Sequence, residues 1–196
     1  MKKIISTLIA ITVIALGSVN IAAAAGTETT TLSNVGTFNK IEVHGNVEVI
    51  VANGDKNKVQ VNNNYYAESA MLQGEDGVLR ISSYKAEKLV VYVTANDLQA
   101  ITAYDNAIVK SDGKLSLITL DVNLYNNAYA GLSLDNYAAN ITVNDQAKAD
   151  LSGSAEEYNL TYSRSSTVNR AELVAQNTTE TMTTPAAPKH RHAIAE

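Results

Sequence analysis

Ile101-Thr-Ala-Tyr-Asp-Asn-Ala107-Ile-Val109, Val122-Asn-Leu-Tyr-Asn-Asn-Ala128-Tyr-Ala130, Ile141-Thr-Val-Asn-Asp-Gln-Ala147-Lys-Ala149 and Leu160-Thr-Tyr-Ser-Arg-Ser-Ser166-Thr-Val168 are one pattern written four times. The steps between copies are 21, 19 and 19 residues, and one register aligns every column. A unit this short cannot bury its apolar face alone, so a fixed period of about twenty residues signals units that stack on one another as a solenoid. Ile101/Val122/Ile141/Leu160 and Ala103/Leu124/Val143/Tyr162 are apolar columns two residues apart, as one face of a strand requires. Thr102/Asn123/Thr142/Thr161, between them, are polar and should face water.

Alternation stops at Asp105-Asn106, Asn126-Asn127, Asp145-Gln146 and Arg164-Ser165. Asn and Asp tolerate a left-handed backbone and bond their own main chain, so these pairs mark a stacked corner. Ala107/Ala128/Ala147/Ser166 follow as a column of small residues, where a tightly turning chain leaves little room.

Upstream, regular structure begins at Phe38. Ile41 and Val43 alternate with polar residues, His44-Gly45-Asn46 makes a turn, and Val47, Val49 and Val51 resume the alternation. Asn53-Gly54-Asp55 is a strong hairpin signal before a strand with Val59 and Val61. Asn62 to Met71 reads equally as a short helix or a loop. Gly74-Glu-Asp-Gly77 is a turn, and strands follow at Leu79 and Ile81 and at Leu89, Val91 and Val93. The fold expected is all-β: a solenoid with rungs of about twenty residues, preceded by short antiparallel or β-helical strands.

Residues 1–25 carry a basic start, an apolar run and Ala22-Ala-Ala-Ala25, the layout of a secretory signal peptide rather than of a membrane span. Residues 26–37 are expected to be a flexible lead-in, residues 38–176 the solenoid head, and residues 177–196, Thr-rich and holding both prolines, a disordered tail. There is no cysteine, which excludes disulfides, a thiolate nucleophile and thiolate metal ligands. Setting aside Lys2 and Lys3, 13 basic residues face 20 acidic ones, so nucleic acid is excluded as a partner. Ten Tyr against one Phe and no Trp, with abundant Thr, Val and Asn, suit strands and turns.

Phe38-Asn-Lys-Ile-Glu-Val-His-Gly45, Val47-Glu-Val, Gly77-Val-Leu-Arg-Ile81 and Leu89-Val-Val-Tyr-Val93 resemble the opening of the auto-transporter adhesin head GIN domains of Bacteroidetes-type bacteria. The resemblance covers about Phe38 to Val174 and implies a single-stranded, right-handed β-helix-like fold on an exported protein. Corners in that family usually carry Gly-Ser-Gly, which this chain replaces with other turn formers.

Three groups of side chains are candidates for function. The corner column Asp105, Asn126, Asp145 and Arg164 should lie one strand spacing apart, roughly 4.8 Å, which puts Asp145 within reach of an ion pair with Arg164. It reads either as a polar strip for a cation or sugar or, more plainly, as a stabilising side-chain ladder. As a glycosidase pair, Asp105 and Asp145 would sit about 9.6 Å apart, at the outer limit for an inverting mechanism. Tyr104 and Tyr125 share an outward column beside Asn123, the chemistry of a sugar-binding strip or of an ordinary strand surface. His190 and His192 make a poor metal site without a fixed third ligand, and Glu156-Glu157 is a solvated turn.

No nucleophile elbow, zinc-protease helix, phosphate loop or calcium-binding repeat occurs. The expectation is a non-enzymatic protein of the periplasm, cell surface or medium, with no cofactor, no metal and no membrane span in its mature form. Its partners would be a glycan or an envelope or extracellular protein, with a homo-oligomer through a strand edge also open. The alternatives are a carbohydrate-active β-helix enzyme and a structural protein that assembles through an open solenoid end.

Overall fold

The computed structural model describes residues 29–32, 36–62 and 70–184. The expected signal peptide, His190 and His192 lie outside them, as do residues 63–69 of the segment left open between helix and loop. No described residue is helical. Among the described residues twelve strands form one sheet, which curls round its own apolar face and has free edges.

Two arms meet at a corner, and the strand pairing shows how they are built. In one arm β2 (Lys40–Gly45), β8 (Ala100–Ala103) and the end of β9 (Ile108–Leu124) pair in parallel, with Ile41, Ile101 and Val122 in line. In the other, β3 (Val47–Asn53) pairs in parallel with the start of β9. The long strands β10 (Tyr129–Val143), β11 (Lys148–Ser163) and β12 (Thr167–Thr183) continue both arms, each in parallel with the last.

The fourfold repeat is therefore fivefold. Ile41-Glu-Val43 and Val47-Glu-Val49 occupy the same columns as Ile101, Ala103, Ala107 and Val109. Beyond them lie β6 (Val78–Ser83) and β7 (Leu89–Ala95), which stack on the outer side of β2 and β3. The rungs thus do not follow chain order: after β7 the chain passes back across the β2/β3 rung to reach β8. Asn57 ties this crossing down, donating to the Phe38 carbonyl at 2.8 Å and accepting from the Asn96 amide at 3.1 Å.

The core is the sum of the inward columns. Leu79, Ile41, Ile101, Val122, Ile141 and Leu160 form one, and all are at most 4% exposed. Each branched side chain lies against the same position of the next rung, and full burial stabilises by about 1.5–3 kcal/mol per side chain.

Bulges explain the unequal steps. Between the pairs Lys110↔Gly131 and Lys114↔Ser133, β9 carries two more residues than β10, which turns a step of 19 into 21. β12 carries one more than β11 between Asp150↔Asn169 and Ser152↔Glu172. Such insertions bend a strand locally, and Gly113 and Gly153, with φ of 79° and 96°, stand at or near the bends.

Several expectations need correction. Asn53-Gly54 does not close a hairpin: β4 (Lys58–Asn62) pairs antiparallel with β7, which separates it from β3. The Gly54 amide instead bonds the Ala95 carbonyl at the end of β7. The two-residue hairpin is at Asp76-Gly77, both with positive φ, between β5 (Ala70–Glu75) and β6. Residues 70–72 are therefore strand. The lead-in contains β1 (Thr29–Leu32), paired antiparallel with β4, and β12 runs to Thr183, past the boundary expected at 176. Both segments are Thr-rich, and pairing through the backbone requires no apolar period. Glu156 and Glu157 lie within β11 rather than in a turn, and Glu156 accepts a bond from Gln176 at 2.9 Å.

Near the β12 end, the Tyr158 side chain is fully buried and its hydroxyl has no hydrogen-bond partner among the described residues. Burial chiefly pushes its pKa from 10.0 to about 12, Arg170 opposing this and Glu180 adding to it. The folded state therefore holds this proton more tightly than the unfolded chain. Its contribution to stability is complete below pH 10 and is lost as pH rises through about 12. Tyr158→Phe should stabilise the domain by about 1 kcal/mol and flatten the fall in stability over that window, as read by denaturant titration at each pH.

Candidate functional site

The four corners share one hydrogen bond, and the first three also share a left-handed residue. Tyr104, Tyr125, Asn144 and Ser163 each accept, at their carbonyl, a bond from the amide three residues on, at 3.0 to 3.2 Å. Asp105, Asn126 and Asp145, first of the two central residues, have φ of 60°, 58° and 54°. Positive φ there belongs to Gly, Asn and Asp, which explains why Asx residues can replace the glycine. In the β2/β3 rung Gly45 sits in this position with φ 81°, and a side chain there would strike the Ser83 carbonyl. Ala107, Ala128 and Ala147 are fully buried just inside the corner.

The corner side chains reach along the stack to backbone. Asn126 Oδ1 accepts from the Asp105 amide at 3.1 Å, and Asp145 Oδ2 accepts from the Asn126 amide at 2.9 Å. Asp105 Oδ2 accepts from the Tyr84 hydroxyl at 3.0 Å. The expected Asp145–Arg164 ion pair is absent among the described residues. The Asp145 carboxylate is turned to the Asn126 amide, and the Asp145 carbonyl is taken by the hydroxyls of Ser163 and Ser165 at 2.9 and 2.6 Å. Each aspartate carboxylate thus accepts a hydrogen bond from a neighbouring element, Asp105 from Tyr84 and Asp145 from the Asn126 amide.

Asn126→Ala should cost about 1–2 kcal/mol, since it loses the cap on the Asp105 amide and strains a left-handed backbone. Asn126→Gly should recover the part due to strain. Thermal melts of the two variants give the comparison.

Tyr104 and Tyr125 stack with ring centroids 5.0 Å apart and planes 9° from parallel. His44, in the same column of the β2 rung, extends the stack at 4.5 Å and 6°. The rings' faces therefore cover one another. Edges and hydroxyls point outward, and a sugar could lie flat only on an end ring. Burial first, then Tyr125 and Glu42, raises the Tyr104 pKa, so its hydroxyl stays a donor. His44 Nε2 lies 2.7 Å from Glu42 Oε1, and Arg80 Nε lies 3.7 Å from Glu42 Oε2.

Two polar columns run beside the rings. Glu42, Thr102, Asn123, Thr142, Thr161 and Thr181 form the first. Asp121, Asn140 and Asn159 form the second, with Asn159 Nδ2 donating to Asn140 Oδ1 at 2.9 Å and Asn140 Nδ2 to Asp121 Oδ1 at 2.8 Å. This second ladder escaped the sequence reading, although Asp121, Asn140 and Asn159 each directly precede an inward residue of the repeat. Asn123 lies half-buried in the first column, one rung from Thr102 and one from Thr142. No group of three or more metal-ligating side chains occurs among the described residues.

The family model described as "Putative auto-transporter adhesin, head GIN domain" matches residues 37–187. The chain belongs to that family. Solved structures share the fold of this head GIN domain. A "putative adhesin" from Bacteroides fragilis superposes with a TM-score of 0.67 at 18% identity, over 79% of this chain and 76% of the other. A "putative adhesin" from Parabacteroides distasonis gives 0.58 at 18% identity, over 79% and 77%. A "putative lipid binding protein" from the same species gives 0.57 at 10% identity, over 79% and 78%. At these identities the likeness is one of fold. No curated protein matches the sequence. No helix among the described residues is long and apolar enough to cross a membrane.

Proposed function

We propose that this head GIN domain is a non-enzymatic, exported adhesin-like module. Its polar outer arm contacts extended glycans or envelope proteins at the periplasm, cell surface or beyond. The sheet is read as a right-handed coil of about twenty residues per turn, a reading supported by the steps of 19 to 21 residues between paired rungs.

The observation that carries the proposal is the in-register outward column of Thr102, Asn123, Thr142 and Thr161, flanked by the hydroxyl edges of Tyr104 and Tyr125. Hydroxyls and amides recur here at the strand spacing of about 4.8 Å. That spacing is close to the length of one sugar unit, so a polymer running along the stack would meet similar donors and acceptors on each rung. Such an array holds a chain by many weak bonds, as a surface contact does, and fixes no single reacting atom. Names of similar structures as adhesins agree with this reading.

Tyr104, Tyr125 and Asn123 are the residues proposed for contact. Screening the protein against a panel of polysaccharides should find a ligand whose affinity rises with chain length. Tyr104→Ala/Tyr125→Ala should weaken it at least about tenfold while the fold is kept. Affinity for a monosaccharide equal to that for its polymer would argue for a closed pocket instead.

A further inference from the structure

β12 is the last rung, and among the described residues its only strand partner is β11. Among those residues its other edge, seventeen residues long, is unpaired. Its inward positions differ from those below. The column Ile101, Val122, Ile141, Leu160 ends in Glu180, and the column Ala103, Leu124, Val143, Tyr162 ends in Met182, which is 53% exposed. On the other arm, Val109, Ala130 and Ala149 lead to Val168. Arg170 reaches across the curl to form an ion pair with Glu180, close to Tyr158.

We propose that a second copy of this chain completes the end of the stack, β12 against β12, antiparallel about a two-fold axis at Ala175. That register sets Val168 opposite Met182, Arg170 opposite Glu180, and Ala175 opposite itself. Val168, Ala175, Glu180 and Met182 lie over inward residues of β11 and Arg170 reaches Glu180 on that side, so these positions meet inward to inward, while inward Leu173 and Thr178 fall opposite outward Asn177 and Glu172 and interrupt the ladder on either side of Ala175. The charges select the direction. Parallel addition of another such rung would place Arg170 on Arg170 and Glu180 on Glu180. The antiparallel arrangement gives an alternating square of two Arg and two Glu, each charge facing its opposite across the interface. Inward charges on an edge ordinarily deter pairing. Here they deter the parallel addition that would grow a filament and allow the self-complementary pair that closes as a dimer.

Sedimentation equilibrium of the intact protein should show a reversible monomer–dimer equilibrium. Arg170→Glu should weaken it at least about tenfold, because four like charges then meet, and Arg170→Glu/Glu180→Arg should restore it. The chain has no cysteine, so Ala175→Cys adds a single thiol. Directly opposed residues of an antiparallel pair lie about 4.5–5.5 Å apart, within disulfide reach. Mild oxidation should join Ala175→Cys into a covalent dimer, while Thr167→Cys, off the axis, should join poorly with itself and well with Thr183→Cys. If Arg170→Glu fails to fold, the cysteine variants alone decide. A wild-type monomer at every concentration, or a dimer in which Ala175→Cys does not cross-link, overturns the proposal.

Discussion

Val143→Asp should leave the domain unfolded at room temperature, whereas Thr142→Asp, one residue away, should cost about 1 kcal/mol or less. Val143 is fully buried in line with Leu124 and Tyr162 and lies one rung from both. A carboxylate there meets only apolar neighbours, and the cost of an unpaired buried charge exceeds what a domain of this size can absorb. Thr142 points outward between Asn123 and Thr161, where a carboxylate keeps its water. Circular dichroism melts separate the two outcomes. Equal melting temperatures would mean that inward and outward have been assigned wrongly.

Gly153→Ala should cost about 4 kcal/mol or more, and Gly113→Ala about 1 kcal/mol. Both glycines have positive φ, so both pay the left-handed penalty. They differ in what a methyl group meets. At Gly153 it would overlap the Leu134 backbone of the neighbouring rung, while at Gly113 the space is open. Since β10 and β11 pair along their whole length, relieving the overlap at Gly153 would break the ladder near Leu134. Denaturant titration measures both costs. A Gly153→Ala variant as stable as Gly113→Ala would show that the rungs part more easily than their pairing implies.

The rungs from Ile101 to Val168 were legible because each crosses the corner with the same number of residues and repeats the same chemistry. Position in the stack was not. Ile41 to Val49 has the same spacing of apolar residues, but 60 residues separate Ile41 from Ile101. That interval contains a rung that stacks on the opposite side. The Asn53-Gly54 signal misled because it is local: the strands it joins are both claimed by β7, whose backbone offers longer pairing on each side. The corner column was readable as Asx residues in a ladder. The partner of Asp145 was not, because an amide of the next rung competes with the exposed Arg164 and wins at little cost in side-chain freedom. The tyrosine column was visible from Tyr104 and Tyr125. That their faces are mutually covered, and that His44 joins them, depends on rung order and could be seen only in the fold.

The claim that the Thr/Asn column and its tyrosine edges form the contact surface is tested most directly by quantitative binding to polysaccharides. Wild type would be compared with Thr142→Asp, which should fold normally and place a negative charge in the middle of the column. Wild type should bind with an affinity that rises with chain length, and Thr142→Asp should lose that binding. Undiminished binding by a folded Thr142→Asp, or none by folded wild type across the panel, would contradict the claim.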